Sequence, residues 1–269
     1  MSVTVVGSVG LDTVETPSGK NVDGLGGAAV YFSLAATHFS PVHLVGVVGE
    51  DFPDAHTKLL ESKNIDLEGL ERASGKTFRW TGHYHEDLND RDTLETQLNV
   101  LEHFHPKVPA KAREAEFLFL ANITPSVQLE VLEQTPHRFV ALDTMNLWID
   151  VAREDLKKVL KEVDALIIND AEARQLSGES NVWKAAHAIR AMGPHIVVVK
   201  KGEHGCMLVW ETDQVFAVPA MPLQEVVDPT GAGDSFAGGF MGYLSSKGET
   251  DFASLKQAVV HGSVLASFT

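Results

Sequence analysis

Asp234 directly follows three small residues, Gly231, Ala232 and Gly233, where the chain breaks into a helix. Asp228-Pro229 stops what precedes it, because proline fixes its own φ and disfavours α geometry in the residue before it. Phe236, Phe240, Tyr243 and Leu244 then recur at helical spacing, so the segment continues as a buried helix. The first N–H groups of a helix lack partners and its dipole adds positive potential, which makes a glycine-rich start an anion site. A carboxylate there can simply cap the helix. It can also serve as general base beside an anion hole, the arrangement needed to move a phosphate onto an alcohol. Asp234 would take the hydroxyl proton while the amides of Gly231, Ala232 and Gly233 offset charge on the transferred group. Two glycines, one small residue and the acid at this spacing bring phosphoryl transfer at least level with the cap.

Other polar residues carry weaker signals. Asp12 lies just beyond the end of an apolar first strand, where α/β ligand sites gather, and a turn-forming aspartate explains it equally well. Gly7-Ser8-Val9-Gly10-Leu11-Asp12 departs from Gly-x-Gly-x-x-Gly spacing and no helix pattern follows, so it is not a dinucleotide turn. His83-x-His85 and His103-x-His105 could together hold zinc. With no cysteine partner and many acidic neighbours, solvated histidines are the better reading, since short metal patterns recur freely by chance.

These residues need a scaffold. Strand-like runs at 3–6, 42–48, 117–121, 139–142, 165–168 and 196–200 alternate with helical stretches at 55–62, 126–133, 153–162 and 182–192. That alternation predicts a mostly parallel sheet with helices on both faces. A glycine-rich loop at 24–27 feeds a small-residue helix that can lie close to its neighbours. Residues 205–210 and 214–218 predict an antiparallel pair near the sheet edge, and 236–244 and 252–267 predict the last helices. Two segments stand apart. Residues 13–23 are polar around Pro17-Ser18-Gly19, and 77–100 alternate at period two (Phe78, Trp80, Gly82, Tyr84; Thr93, Glu95, Gln97, Asn99) about a turn near Asn89-Asp90. They predict a small outer sheet, a lid formed by about 12–25 and 77–100. No repeat or long linker divides the 269 residues, so one α/β domain over 1–269 is expected.

Composition narrows the partners. A net charge of −15 argues against a nucleic-acid partner, though Mg²⁺ and local donors can still admit an anionic substrate. The single cysteine, Cys206, rules out a disulfide framework and points to a reducing compartment. The start lacks the pattern of a signal peptide and no apolar run reaches spanning length, so the reading is cytoplasmic with no membrane partner.

Asp228-Pro-Thr-Gly-Ala-Gly-Asp234, followed by Gly238-Gly239, resembles the C-terminal signature of the ribokinase-like (PfkB) carbohydrate kinases, and the resemblance runs along nearly the whole chain. It implies a ribokinase-like three-layer α/β sandwich with a mostly parallel central sheet and a small β-sheet lid. The implied activity is transfer of the γ-phosphate of ATP, with Mg²⁺, to a hydroxymethyl group of a sugar or sugar-like molecule. A monovalent cation such as K⁺ near the Asp228 loop and a homodimer through the lid also follow from the resemblance alone. Asp234 matches the family's base, and Asp12 with Gly26-Gly27 matches its substrate grip. Tyr31 stands where sugar kinases of the family usually carry asparagine; it could stack on a substrate ring or pack between helices. Asn169-Asp-Ala-Glu172 resembles the Asn-x-x-Glu motif associated with phosphate and Mg²⁺, the metal being met through water, although a glutamate in a helix's first turn is also what the dipole favours. Val198-Val-Lys-Lys-Gly-Glu-His-Gly205 resembles the strand and turn that flank the nucleotide. Lys201, Gly202, Gly205 and Thr230 fall on that side, and an exposed turn is the ordinary place for such a lysine. Asp143-Thr-Met-Asn-Leu-Trp148 resembles a segment behind the phosphate path, with its asparagine displaced by one and the usual nearby arginine missing, so no role is carried over. In the family a further stretch after a pair such as Ala266-Ser267 completes the adenine pocket; only Phe268 and Thr269 follow here, and residues beyond Thr269 are the expectation. Two alternatives remain open at this point. One is a nucleoside kinase on the same fold, for which Tyr31 speaks. The other is a ligand-binding or regulatory homologue without turnover, against which the intact Gly-Ala-Gly-Asp speaks.

Overall fold

Phe117-Leu118-Phe119-Leu120 shows how the chain divides between two cores. Side chains alternate across a strand, and here Phe117 and Phe119 join one buried cluster while Leu118 and Leu120 join another. A strand covered on both faces reads as a continuous apolar run, which is why these runs were visible in the sequence. The computed structural model describes residues 1–88, 91–211 and 214–269. The turn expected at Asn89-Asp90 lies outside the described residues.

The strands are, in chain order, β1 (Val3–Val6), β2 (Gly10–Thr16), β3 (Gly19–Gly26), β4 (Val42–Val48), β5 (Ile65–Arg72), β6 (Phe78–Tyr84), β7 (Arg91–Gln97), β8 (Phe117–Leu120), β9 (Phe139–Asp143), β10 (Ala165–Asn169), β11 (Ile196–Lys200), β12 (Cys206–Trp210) and β13 (Gln214–Val218). The large sheet has the order β13-β12-β11-β10-β9-β8-β1-β4-β5. It is parallel from β11 to β5, with β12 and β13 added antiparallel at one edge, as the 205–218 pattern predicted. The opposite edge, β5, has no counterpart in the expectations. Asp66, Glu68, Glu71 and Arg72 break its apolar pattern, and an edge strand tolerates this because it is half exposed.

The helices Ala28–Ala36, Ala232–Lys247 and Phe252–Ala266 cover one face, and Pro125–Gln134, Arg153–Leu160, Asp170–Ser177 and Val182–Arg190 cover the other. The second sheet has the order β3-β2-β6-β7. It is mixed: β2 runs parallel to β6, between two antiparallel pairs. Asp12 therefore belongs to a strand of this sheet, where a position just beyond a strand end was expected.

The Ala232–Lys247 helix is set by close approach. A Cβ on Gly238 would overlap the Phe32 carbonyl, and one on Gly242 would lie 2.9 Å from the Ala36 carbonyl. Gly239, on another side, would place a Cβ 3.0 Å from Cα of Gly262. Phe32 in turn stacks on Phe119 at 4.4 Å between ring centroids, tying the helix pair to the sheet. Alanine favours a helix interior over glycine by about 1 kcal/mol, but overpacking against backbone costs about 1–3 kcal/mol. Gly238→Ala should therefore be net destabilising in urea unfolding with an unchanged m value; a more stable variant would show that the two helices can slide apart freely.

Candidate functional site

Gly231 adopts a left-handed φ of 81° and forms the N-cap of the Ala232–Lys247 helix, with no side chain capping it. A Cβ there would overlap the ring of Tyr31, so the loop is glycine both for its backbone and for the tyrosine packed on it. The Ala232 amide donates to the Pro229 carbonyl (3.1 Å) and the Ser235 amide to the Gly231 carbonyl (2.8 Å). The expected set of three amides is thus unequal, with Ala232 already engaged and Gly231 and Gly233 free of any backbone acceptor among the described residues. Upstream, the Thr230 amide donates to Asp228 Oδ1 at 2.9 Å, and Thr230 Oγ1 hydrogen-bonds Tyr84 Oη of β6 at 3.3 Å.

Asp234 follows in the first turn of this helix and is half-buried. Burial, then the charge of Asp143, pushes its carboxyl up to about 7, against the opposing pull of Lys200 and Arg91. Lys200 is the last residue of β11, level with Asn169 of β10. Its Nζ lies 3.7 Å from Asp143 Oδ2 and would sit 2.8 Å from a Cβ on Gly233, so the ammonium lies against the loop. Burial alone would lower Lys200, but Asp143, Glu172 and Asp234 together hold it above its ordinary value. Burial raises Asp143 in spite of the lysine beside it. Lys201, the lysine singled out from the sequence, instead belongs to the β11–β12 turn. Its amide donates to the Gly205 carbonyl at 2.8 Å, and Gly202 and Gly205 supply the positive φ values of 54° and 79° that the turn needs. The strand-end rule would have favoured Lys200, because it closes the apolar run Ile196-Val-Val-Val.

Asn169 and Glu172 form a capping box: the Glu172 amide donates to Asn169 Oδ1 at 2.8 Å and the Asn169 amide to Glu172 Oε2 at 3.2 Å. The helix-start reading of Glu172 is therefore realised. The carboxyl is nonetheless buried, and burial followed by the charge of Asp143 pushes it up to about 7. A hard-oxygen donor of this kind fits Mg²⁺, which keeps most of its waters and needs only one or two protein carboxylates beside phosphate oxygens. Among the described residues no group of three or more His, Cys, Asp or Glu is arranged as a metal cage. His85 pairs with Asp92 at 3.2 Å, while His105 pairs with Glu130 of the Pro125–Gln134 helix at 3.0 Å.

On the other side, Gly26 and Gly27 bring backbone against Asp12 and Ser8. A Cβ on Gly26 would overlap the Asp12 carboxylate, and one on Gly27, whose φ is 100°, would overlap the Ser8 carbonyl. The Ser8 hydroxyl accepts from the Ala28 amide at 3.0 Å, anchoring the start of the Ala28–Ala36 helix. Asp12 is buried and its Oδ1 has no partner among the described residues, so one carboxylate oxygen is left for a ligand hydroxyl. Burial pushes Asp12 up to about 7, relieved by the Gly27 amide and aggravated by Asp228. Tyr31 is half-buried, with Asp12, Asp228, Asp234 and Tyr84 around it; burial first, and then those charges, raise its phenol. The structure brings Asp12, Tyr31 and Asp234 close enough to act on one another electrostatically, and packs the Tyr31 ring on the loop.

Comparison with known proteins agrees with this geometry. Residues 3–269 match the pfkB family carbohydrate kinase profile. The chain belongs to the pfkB family of carbohydrate kinases. Cytidine kinase from Thermococcus kodakarensis is 32% identical over 90% of this chain and 87% of its own length. Nucleoside kinase from Methanothermobacter thermautotrophicus is 29% identical, covering 90% of this chain and 77% of the relative. The crystal structure of Methanocaldococcus jannaschii nucleoside kinase superposes with a TM-score of 0.79 at 20% identity, over 99% of this chain and 90% of that one, which establishes the ribokinase fold. As a member of this family the protein is a phosphotransferase acting on hydroxyl groups.

In this pfkB kinase the raised carboxyls tie stability to pH. Folded Asp12 keeps its proton to about pH 7, whereas unfolded it loses it near 3.8. Between those values the folded state binds more protons, so the Asp12 share of stability falls as pH rises. Asp12→Asn should gain stability over the parent between pH 4 and 7, with a slope of up to about 1.4 kcal/mol per pH unit. Thermal and urea unfolding across that range check it; a pH-independent difference would mean that Asp12 ionises normally in the fold.

Proposed function

We propose that this pfkB kinase transfers the γ-phosphate of ATP to the hydroxymethyl group of a nucleoside. The observation that carries the acceptor side is the buried Oδ1 of Asp12, unpartnered among the described residues and near enough to Asp234 for the two charges to interact. A buried carboxylate oxygen without a partner is costly, and the hydroxyls of a pentose would satisfy it. Two relatives named for nucleoside substrates, each aligned over 90% of this chain, favour a pentose that carries a base. A free sugar is the second reading, favoured by the family's description as carbohydrate kinases.

Asp234 takes the proton of the attacking hydroxyl. Its carboxyl, raised toward neutrality, is matched to a general base working near pH 7. The free amides of Gly231 and Gly233, with Lys200 beside them, hold the transferred phosphate. Thr230, Asn169 and the Lys201–Gly205 turn stand on the nucleotide side. Mg²⁺ would be met by Glu172, through water, and would supply neutralisation of the polyphosphate charge. A K⁺ ion at the Asp228 loop would take carboxylate and carbonyl oxygens there.

The second sheet, with Asp12 on β2, forms the lid over the acceptor and excludes water from the transfer. Its open edges, β3 and β7, are where two copies would pair into a homodimer. The single buried cysteine suits a cytoplasmic setting.

A kinase assay over a panel of nucleosides and free sugars should give its highest kcat/KM on a nucleoside. Best turnover of a free sugar would overturn the nucleoside assignment, and binding without turnover across the panel would overturn catalysis. Asp234→Asn should lower kcat by roughly 10²–10⁴ with KM little changed, and near-parental turnover would remove Asp234 from the role of base.

A further inference from the structure

The cleft carries more acid than base. Asp12, Asp143, Glu172, Asp228 and Asp234 act on one another, and Lys200 is the cation embedded among them, already held by Asp143 at 3.7 Å and by the charges of Glu172 and Asp234. A triphosphate entering this cleft needs positive charge that is not spent on the protein's own carboxylates. The second sheet carries a charge that is paired with no carboxylate among the described residues. Arg91 opens β7 and is registered opposite Tyr84 of β6, so the two side chains share a face of the sheet. That face looks onto the anion loop, because Tyr84 Oη hydrogen-bonds Thr230 Oγ1 at 3.3 Å. The charge of Arg91 is felt at Asp143, Glu172, Lys200 and Asp234 together, although the residue itself is exposed.

Arg91 is also held in readiness. Its guanidinium carbon sits 5.9 Å above the Trp80 ring, four residues before Tyr84 and on the same face of β6. Between them, a Cβ on Gly82 would overlap the indole, so glycine lets the ring lie flat along the strand. The Trp80 Nε1 donates to Thr93 Oγ1 at 3.3 Å and fixes the ring's orientation. The indole is thus a prepared platform for a guanidinium, an attraction that holds the arginine without neutralising it.

We propose that Arg91 is a catalytic residue of this kinase, delivered from the second sheet to a non-bridging oxygen of the transferring phosphate. In the step the acceptor oxygen bonds to the γ-phosphorus, the bond to the β,γ-bridging oxygen breaks, and ADP leaves with that electron pair. The hydroxyl proton goes to Asp234, and Arg91 remains a cation throughout. A planar guanidinium offers two parallel donors to phosphate oxygens, and its worth rises as charge develops on them. The role rests on the phosphoryl-transfer chemistry above.

Arg91→Ala and Arg91→Lys in the full chain, assayed with the best acceptor of the panel, test it. Arg91 is exposed, and an unchanged melting temperature will show that the variants fold. The alanine variant should lose roughly 10²–10³ in kcat, with kcat and kcat/KM falling together because the contact exists only in the transition state. Millimolar guanidinium chloride should restore part of that loss and leave the parent unaffected. Independently of turnover, aluminium fluoride should tighten ADP binding by the parent and fail to do so for Arg91→Ala. An alanine variant with parental kcat, a loss confined to KM, or full retention of the aluminium fluoride effect would overturn the assignment of Arg91. A parent that phosphorylates no acceptor would instead overturn the transferase reading, and the role of Arg91 with it.

Discussion

Crowding of acids in a half-dry cleft is the constraint on which the site depends. Asp12, Glu172 and Asp234 are each pushed up to about 7, chiefly by burial, and Asp143 is raised beside them. Ionised together they would repel one another strongly at low effective dielectric. Lys200 offsets part of this and is itself held charged by them. The remaining deficit of positive charge makes the cleft receptive to a cation and a proton, the two things that phosphoryl transfer to an alcohol brings. The same crowding raises the carboxyl of Asp234 toward neutrality, so its proton affinity is a property of the assembly around it.

Steric constraint holds that assembly in place. The helix that begins after Gly231 lies against Ala28–Ala36 at backbone distance, which glycine alone permits at 238. Tyr31, from that neighbouring helix, packs on Gly231, so the helix pair and the loop are posed by one contact surface. The second sheet joins through Tyr84 and Thr230, which are 146 residues apart in the chain. Strand ends of the large sheet then present Asp143, Asn169 and Lys200 side by side. Such ends are where open α/β sheets gather ligands.

Most of the architecture was legible. Apolar runs gave the interior strands of the large sheet, period-two alternation gave one segment of the second sheet, and the polar turn around Pro17-Ser18-Gly19 gave the other. Where pattern failed, the reason is exposure. β5 has one neighbour and a polar sequence. Local spacing was enough to place the helix start at Gly231 to Asp234, the close approach at Gly26-Gly27 and the helix start at Asn169 to Glu172. Lys200, next to the Lys201 that the sequence pointed to, gave no signal of its own, and only the end of β11 places it beside Asp143.

By itself the sequence determined a doubly covered parallel sheet, a glycine-rich helix start with an acid in its first turn, and the family to which both belong. Those features are local, written in the period of apolar residues and in which backbone angles each residue allows. Tertiary structure alone decided that Lys200 is the embedded cation, that Tyr31 rests on the loop, and that Trp80, Tyr84 and Arg91 share a face turned toward it. Charge coupling and packing depend on distance through space, and spacing along the chain says nothing of residues that the fold brings together from 146 positions apart.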